Sequence, residues 1–145
     1  MEIKVGMRQS KIIKREWYVV DATDKVLGRL SSKVAMYLIG KHKIEYAPYF
    51  DVGDYIIIIN SKKIYVSGRK YENKIYYRHT GYVGGIKSLK FKELISINSN
   101  KVIENSVKGM LPKNKLGRVM FRRLKVYTST VHNHEAQSPK FLQIS

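Results

Sequence analysis

His132-Asn133-His134-Glu135 places two imidazoles at alternate positions, and on an extended segment alternate side chains point to one side, as ligands of a metal would. No further ligand accompanies them. The chain has no HExxH spacing and no cysteine, so hydrogen bonds to RNA or to the protein's own backbone suit His132 and His134 better than a specific metal site. Asp51 and Asp54 could serve as a carboxylate pair, but they flank a Gly ahead of an apolar run, which is the setting of turn formers. Joined by the two histidines and a divalent metal they would make a nuclease centre, and geometry decides that reading. Ser31 and Ser32 lie inside a helical pattern with no GxSxG elbow, so a serine nucleophile has no scaffold.

Two other groups suit binding rather than catalysis. In Arg78-His79-Thr80-Gly81-Tyr82-Val83-Gly84-Gly85-Ile86-Lys87, glycines let the backbone approach a ligand, while the flanking cations and Tyr82 could meet phosphate and stack on a base. The run matches neither GxxxxGK[ST] nor GxGxxG, which leaves a nucleotide cofactor unsupported. A glycine-rich turn between a strand and the next helix is the structural alternative, and spacing alone leaves both open. The second group is Lys115 to Lys125, read as a helix: Leu116, Met120, Phe121 and Leu124 share one arc, and Lys115, Arg118, Arg122 and Lys125 share the other. At 1.5 Å per residue the basic stripe is about 15 Å long, enough to meet several phosphates. A solvated helix face is the bland reading, yet no Asp or Glu occurs from Lys108 to Lys125 to offset it, so RNA contact is favoured.

The elements that must hold these groups follow from periodicity. Trp17-Tyr18-Val19-Val20-Asp21 is aromatic and β-branched and predicts a strand ending near Ala22, with Trp17 as a core anchor. Leu27, Leu30, Val34, Ala35 and Leu38 recur at helical spacing and predict a helix over Val26 to Ile39, with Gly40 as a left-handed cap. Lys41, His42 and Lys43 follow, where cations favour the negative end of the helix dipole and could reach phosphate. Tyr55 to Ile59 is apolar without alternation, as in a strand covered on both faces. Ile64-Tyr65-Val66 reads as a further short strand, closed by the basic turn Ser67-Gly68-Arg69-Lys70, and Lys74 to His79 as another. Helical spacing returns over Phe91 to Ile95 and at Val102, Ile103, Val107, Met110 and Leu111, with Asn98 or Ser99 as the N-cap between and Pro112 closing the region. Strands alternating with helices point to an α/β layered domain.

Composition narrows the partners. The 145 residues suit one domain, and 28 Lys and Arg against 11 Asp and Glu leave a formal +17. A small fold so charged repels itself until a polyanion supplies counter-charge, which makes nucleic acid the leading partner. A membrane surface fits less well, because no long basic amphipathic helix with Trp or Phe anchors lies near a terminus. The longest apolar element, Tyr55 to Ile59, is far short of the roughly 20 residues of a membrane span. No internal repeat or linker interrupts the chain. Residues 1–16 read as a basic extension, and 17–145 as one domain.

From Trp17 to Pro139 the chain resembles the universal thirteenth protein of the large ribosomal subunit, in its bacterial form. The resemblance is carried in order by Trp17-Tyr18-Val19-Val20-Asp21-Ala22-Thr23, Leu27-Gly28-Arg29-Leu30, Gly40-Lys41-His42-Lys43, Gly53-Asp54-Tyr55-Ile56-Ile57, His79 to Lys87, Val107-Lys108-Gly109-Met110-Leu111-Pro112 and His132-Asn133-His134. The block from Val107 through Leu116-Gly117-Arg118 to Lys125-Val126-Tyr127 looks like the family's signature. What the resemblance implies is a single α/β domain, three-layer α/β/α with a small, largely parallel sheet and basic extensions. It further implies a non-enzymatic constituent of the cytoplasmic ribosome, or of an organellar one, that binds large-subunit ribosomal RNA, acts early in assembly and needs no cofactor. Its protein neighbours would be the third and twentieth large-subunit proteins. The residues expected at RNA, from charge and likeness together, are Lys41, His42, Lys43, Arg69, Lys70, Arg78, His79, Gly81, Tyr82, Gly84, Gly85, Lys87, Lys108, Lys113, Lys115, Arg118, Arg122, Arg123, Lys125, His132 and His134. Two departures stand out: Ser99 occupies a position where bacterial members often have proline, and the segment before Lys14 lies outside the motif pattern. An RNA-binding regulator that works off the ribosome would carry the same charge, and sedimentation distinguishes the two.

Overall fold

A computed structural model describes residues 14–144. Its centre is a parallel sheet built from β1 (Trp17–Asp21), β2 (Tyr55–Ile59), β5 (Leu124–Val126) and β6 (Lys140–Phe141), in the order β5-β2-β1-β6. Parallel neighbours need a crossover, and α1 (Leu27–Ile39) supplies the one from β1 to β2. A separate antiparallel hairpin joins β3 (Ile75–His79) to β4 (Ile86–Lys90), with the short helix α2 (Lys70–Asn73) ahead of it. The long segment α3 (Phe91–Met110) and the short helix α4 (Lys115–Phe121) complete the domain. The expected α/β class with a largely parallel sheet is therefore met. Among the described residues no helix is long and apolar enough to cross a membrane.

The alternation of β1 and β2 sorts the core into two sides. Val20, Ala22, Ile56 and Ile58 join the larger cluster with Leu30, Val34 and Leu38 of α1 and Val102, Ile103 and Val107 of α3. Each fully buried aliphatic chain of this kind stabilises the fold by about 1.5–3 kcal/mol relative to exposure. The alternate residues Val19, Ile57 and Ile59 form a smaller cluster, covered by Trp17 and Tyr127. Trp17 lies flat on Tyr55 with ring centroids 4.2 Å apart, so the anchoring role expected of it is observed. Both faces of β2 are thus covered, which is why Tyr55 to Ile59 shows no polar alternation.

Gly40 caps α1 at φ 87°, its N–H donating to the carbonyls of Met36 and Tyr37. A side chain there would also meet Val52. The break expected within the later helical region falls at Asn98, whose extended backbone interrupts α3 while its Oδ1 accepts from the Lys101 N–H at 3.2 Å. Ser99 is buried behind it and bonds Ser61 at 2.8 Å.

Three expectations change. Ile64-Tyr65-Val66 forms no strand and contributes one isolated parallel bridge, Tyr65 to Val26, because the three-residue 3-10 turn Ser61–Lys63 redirects the chain. The glycine-rich run turns one strand into another strand, β4, and not into a helix. The helix expected over Lys115 to Lys125 stops at Phe121, and Leu124–Val126 instead extends the sheet beside β2. The N-terminal extension 1–16 lies almost wholly outside the described residues.

Candidate nucleic-acid interface

The acidic residues of the turn before β2 face inward. Asp54 is fully buried: Oδ1 accepts from the Glu16 N–H at 2.9 Å and from Lys43 Nζ at 2.5 Å, and Oδ2 meets His42 Nε2 at 2.8 Å. Lys43 Nζ also donates to the Lys14 and Val52 carbonyls, both at 3.1 Å. Asp51 pairs with Arg123 and, at 3.3 Å, with Arg15. Arg123 further donates to the Gly53 carbonyl at 2.9 Å and reaches that of Leu38 at 3.5 Å, one of the last-turn carbonyls that α1 leaves without a helical partner. Gly53 is held tightly enough that an added Cβ would overlap the Leu38 carbonyl oxygen.

This arrangement corrects the set of RNA-facing candidates. Arg123 is buried, 3% exposed, with its two terminal guanidinium nitrogens bonded to protein acceptors, so it is a structural residue. Lys43 is half-buried with all three ammonium hydrogens matched by protein acceptors, and His42 is tied to the same carboxylate. For Lys43 and His42 the reason is that the fully buried Asp54 carboxylate must be paired or hydrogen-bonded; for Arg123 it is the buried guanidinium that needs Asp51 and the two carbonyls. The proposed nuclease centre also dissolves. Asp51 and Asp54 are occupied as described, whereas His134 bonds the Tyr127 hydroxyl at 2.9 Å and tilts against Trp17, and His132 Nδ1 accepts from the His134 N–H at 3.3 Å. Among the described residues no cluster of three or more His, Cys, Asp or Glu is arranged to hold a metal.

The remaining cations point to solvent. Lys41, Arg69, Lys70, Arg78, Lys87, Lys108, Lys113, Lys115, Arg118 and Arg122 are all exposed, and none is in an ion pair among the described residues. On α4, Asn114 caps the helix by accepting from the Gly117 N–H at 2.8 Å, and Gly117 packs against the Pro112 carbonyl so closely that a Cβ would overlap it. Met120 and Leu124 face the core, which leaves Lys115, Arg118 and Arg122 outside and Lys125 half-buried on β5. Seven helical residues span about 10 Å, so the stripe is shorter than the sequence suggested.

At the hairpin tip, Gly81 and Gly84 have φ of 92° and 70°, and Gly85 faces the Thr80 hydroxyl so closely that no Cβ fits. The turn closes through Thr80 N–H to Gly85 carbonyl and Gly85 N–H to Tyr82 carbonyl, each 2.9 Å. Turn geometry therefore accounts for all three glycines. His79 Nδ1 accepts from the Gly81 N–H at 2.9 Å, which places any hydrogen of the neutral ring on Nε2, toward solvent. Tyr77 and Ile86 are the exposed neighbours that sequence reading passed over; period-two alternation along Ile75 to His79 was the signal that could have found Tyr77.

Two carboxylates are held ionised by their surroundings. Hydrogen bonds from Tyr18 and Lys140 hold Glu16 down to about 2 from 4.5, and the Tyr18 phenol is pushed up by the same bond. Burial pushes Asp21 up, but hydrogen bonds from Asn60 and Thr23 outweigh it and keep the carboxyl below its ordinary value.

Comparison with known proteins adds an independent line. A family model described as Ribosomal protein L13 matches residues 15–133. A protein named large ribosomal subunit protein uL13 from Blochmanniella pennsylvanica (strain BPEN) is 57% identical over 142 residues, covering 98% of this chain and 99% of its own length. Proteins of the same name from Buchnera aphidicola are 58% identical over 132 residues in subsp. Schizaphis graminum (strain Sg) and 59% over 136 in subsp. Acyrthosiphon pisum (strain Tuc7). They cover 91% and 94% of this chain, and 93% and 96% of their own. The first of these alignments takes in most of residues 1–13, which the motif pattern alone had left out.

Proposed function

The chain belongs to the ribosomal protein L13 family, and from that premise we propose that it binds large-subunit ribosomal RNA through its exposed cations and supports early assembly of that subunit. It is a structural constituent of the large ribosomal subunit and not an enzyme. The observation that carries the RNA reading is the separation of its charges: the ion-paired carboxylates Asp51, Asp54 and Glu16 take up Arg15, His42, Lys43, Arg123 and Lys140, and most of the other Lys and Arg side chains among the described residues are exposed. Lys41, Arg69, Lys70, Arg78, Lys87, Lys108, Lys113, Lys115, Arg118 and Arg122 contact phosphate in this reading, with Lys125 at the margin. His132 and His134 contribute beside them through ring edges. Residues 17–145 act as one domain, and the extension 1–16 adds further positive charge. The third and twentieth large-subunit proteins are its neighbours in the particle, a reading supported by family likeness alone.

The test is the salt dependence of binding to a folded large-subunit RNA transcript. Contact with about 6–10 phosphates lowers affinity about 10³–10⁵-fold between about 50 and 200 mM salt, and an affinity indifferent to salt overturns the reading. Sedimentation separates the ribosomal role from that of a free RNA regulator: the protein travels with the large subunit, and persistent absence from that fraction favours the regulator.

A further inference from the structure

The hairpin has two unlike faces. Tyr76 and Leu89, opposite each other in register, turn inward and pack on the main core. Tyr77 and Ile86 lie on the other face and are 70% and 65% exposed. Register puts Tyr77 opposite Ser88 and His79 opposite Ile86, so Tyr77 and Ile86 are diagonal neighbours about 7–8 Å apart. At the tip, Tyr82 and Val83 project with 79% and full exposure. No described helix or strand covers this face, although the hairpin is anchored firmly through Tyr76, Leu89 and the Phe91 N–H to the Lys74 carbonyl at 2.8 Å.

Charge decides what fits there. From Lys74 to Lys92 the chain has no Asp or Glu, while Lys74, Arg78, Lys87, Lys90 and Lys92 are all exposed. Aromatic faces set among cations with no acid nearby match an unstacked nucleotide strand: phosphates meet the cations and bases lie on the rings. A-form duplex offers no open base faces, so Tyr77 and Tyr82 would be idle against it. A protein neighbour would need an acidic rim to tolerate these cations.

Resting on the RNA reading above, the geometry points to the outer face of the β3–β4 hairpin as a stacking platform for unpaired RNA nucleotides, with Tyr77 on that face and Tyr82 at the tip as the rings. Lys90, opposite Ile75 on the same face, is its phosphate contact, while Arg78 and Lys87 lie opposite each other on the reverse face and add to the surrounding positive field. The platform recognises flipped or single-stranded bases. The exposed cations of α4 supply the charge that holds the surrounding RNA.

The experiment uses the full chain with three probes: the folded large-subunit RNA transcript, a short oligouridine strand, and a blunt RNA duplex of equal length. Tyr77→Ala and Tyr82→Ala should each weaken oligouridine and transcript binding about 5- to 150-fold with an unchanged salt slope, and leave duplex binding unaltered. Tyr77→Phe and Tyr82→Phe should stay near wild type, since stacking needs the ring and not the hydroxyl. Both positions are exposed, so the fold survives, and an unchanged circular dichroism spectrum checks it. Wild-type affinity for both RNAs in the two Ala variants overturns the platform while leaving the RNA reading intact, including the case where a ribosomal protein occupies this face. Equal losses for duplex and single strand also overturn it. Failure of the wild-type chain to bind the transcript in a salt-dependent way defeats the underlying reading instead.

Discussion

Arg122 and Arg123 are adjacent, identical in type, and opposite in role. Arg122 is exposed, whereas Arg123 is buried against Asp51 and the carbonyls of Gly53 and Leu38. Removing Arg123 leaves Asp51 with Arg15 alone and takes a buried donor from the Gly53 and Leu38 carbonyls, so Arg123→Ala should cost about 1–3 kcal/mol in urea unfolding and leave the salt slope of RNA binding unchanged. Arg122→Ala should change stability by less than about 0.5 kcal/mol and reduce the slope by about 0.7–0.9, one phosphate contact. Glu16 gives a pH signature. Its folded pKa of about 2 lies below the ordinary 4.5, so its bonds to Tyr18 and Lys140 stabilise the protein above 4.5 and that contribution fades as pH falls toward 2. In unfolding titrations the stability gap between wild type and Glu16→Gln should be constant near neutrality and shrink below pH 4.5; a gap that widens on acidification contradicts the assignment. Periodicity could not have separated the two arginines, because burial of Arg123 depends on Asp51, 72 residues away in the chain.

Among the elements, those whose pattern is sufficient in itself were legible. The helix α1, its Gly40 cap, the doubly covered β2 and the Asn98 break all follow from local residue types. The misread ones depend on a partner. Leu124 has the right spacing to continue α4, yet pairing with Ile56 draws it into the sheet, and three residues carry too little propensity of their own to announce a strand. Ile86 to Lys90 was likewise invisible until the turn geometry placed it against Ile75 to His79. The candidate site divides along the same line: the exposure of Lys41, Arg118 and Arg122 accords with their local charge pattern, while the ties of Lys43, His42 and Arg123 to Asp54 and Asp51 depend on contacts that only the fold brings about. Two element-scale outcomes follow. Asn98→Ala should cost about 1 kcal/mol by removing the cap of the second half of α3, measured in denaturant. Gly53→Ala should cost about 1–3 kcal/mol or more, because its Cβ has no space beside Leu38 at the C-terminus of α1.

At the scale of the whole molecule, the surplus of +17 sits on a body of 145 residues whose ion-paired carboxylates are already committed. Free in dilute buffer the chain repels itself, and sodium chloride that shortens the Debye length from about 30 Å to about 3 Å should raise the Tm of the isolated protein. A Tm that falls over that range, followed by calorimetry, would mean that attractive surface pairs outweigh the repulsion. Another consequence comes from the strand order. The second side of β1 is paired by β6, whose Lys140 reaches back to Glu16 across 124 residues, and the adjoining Ile144 is buried in the main core. During synthesis β1 and β2 emerge well before β6 and can pair at once, but the other margin of β1 stays bare until Lys140–Phe141 has been made and is free to pair. A nascent chain stalled before β6 therefore presents an open hydrogen-bonding edge, and the emergence of Lys140–Phe141 is the event that seals it.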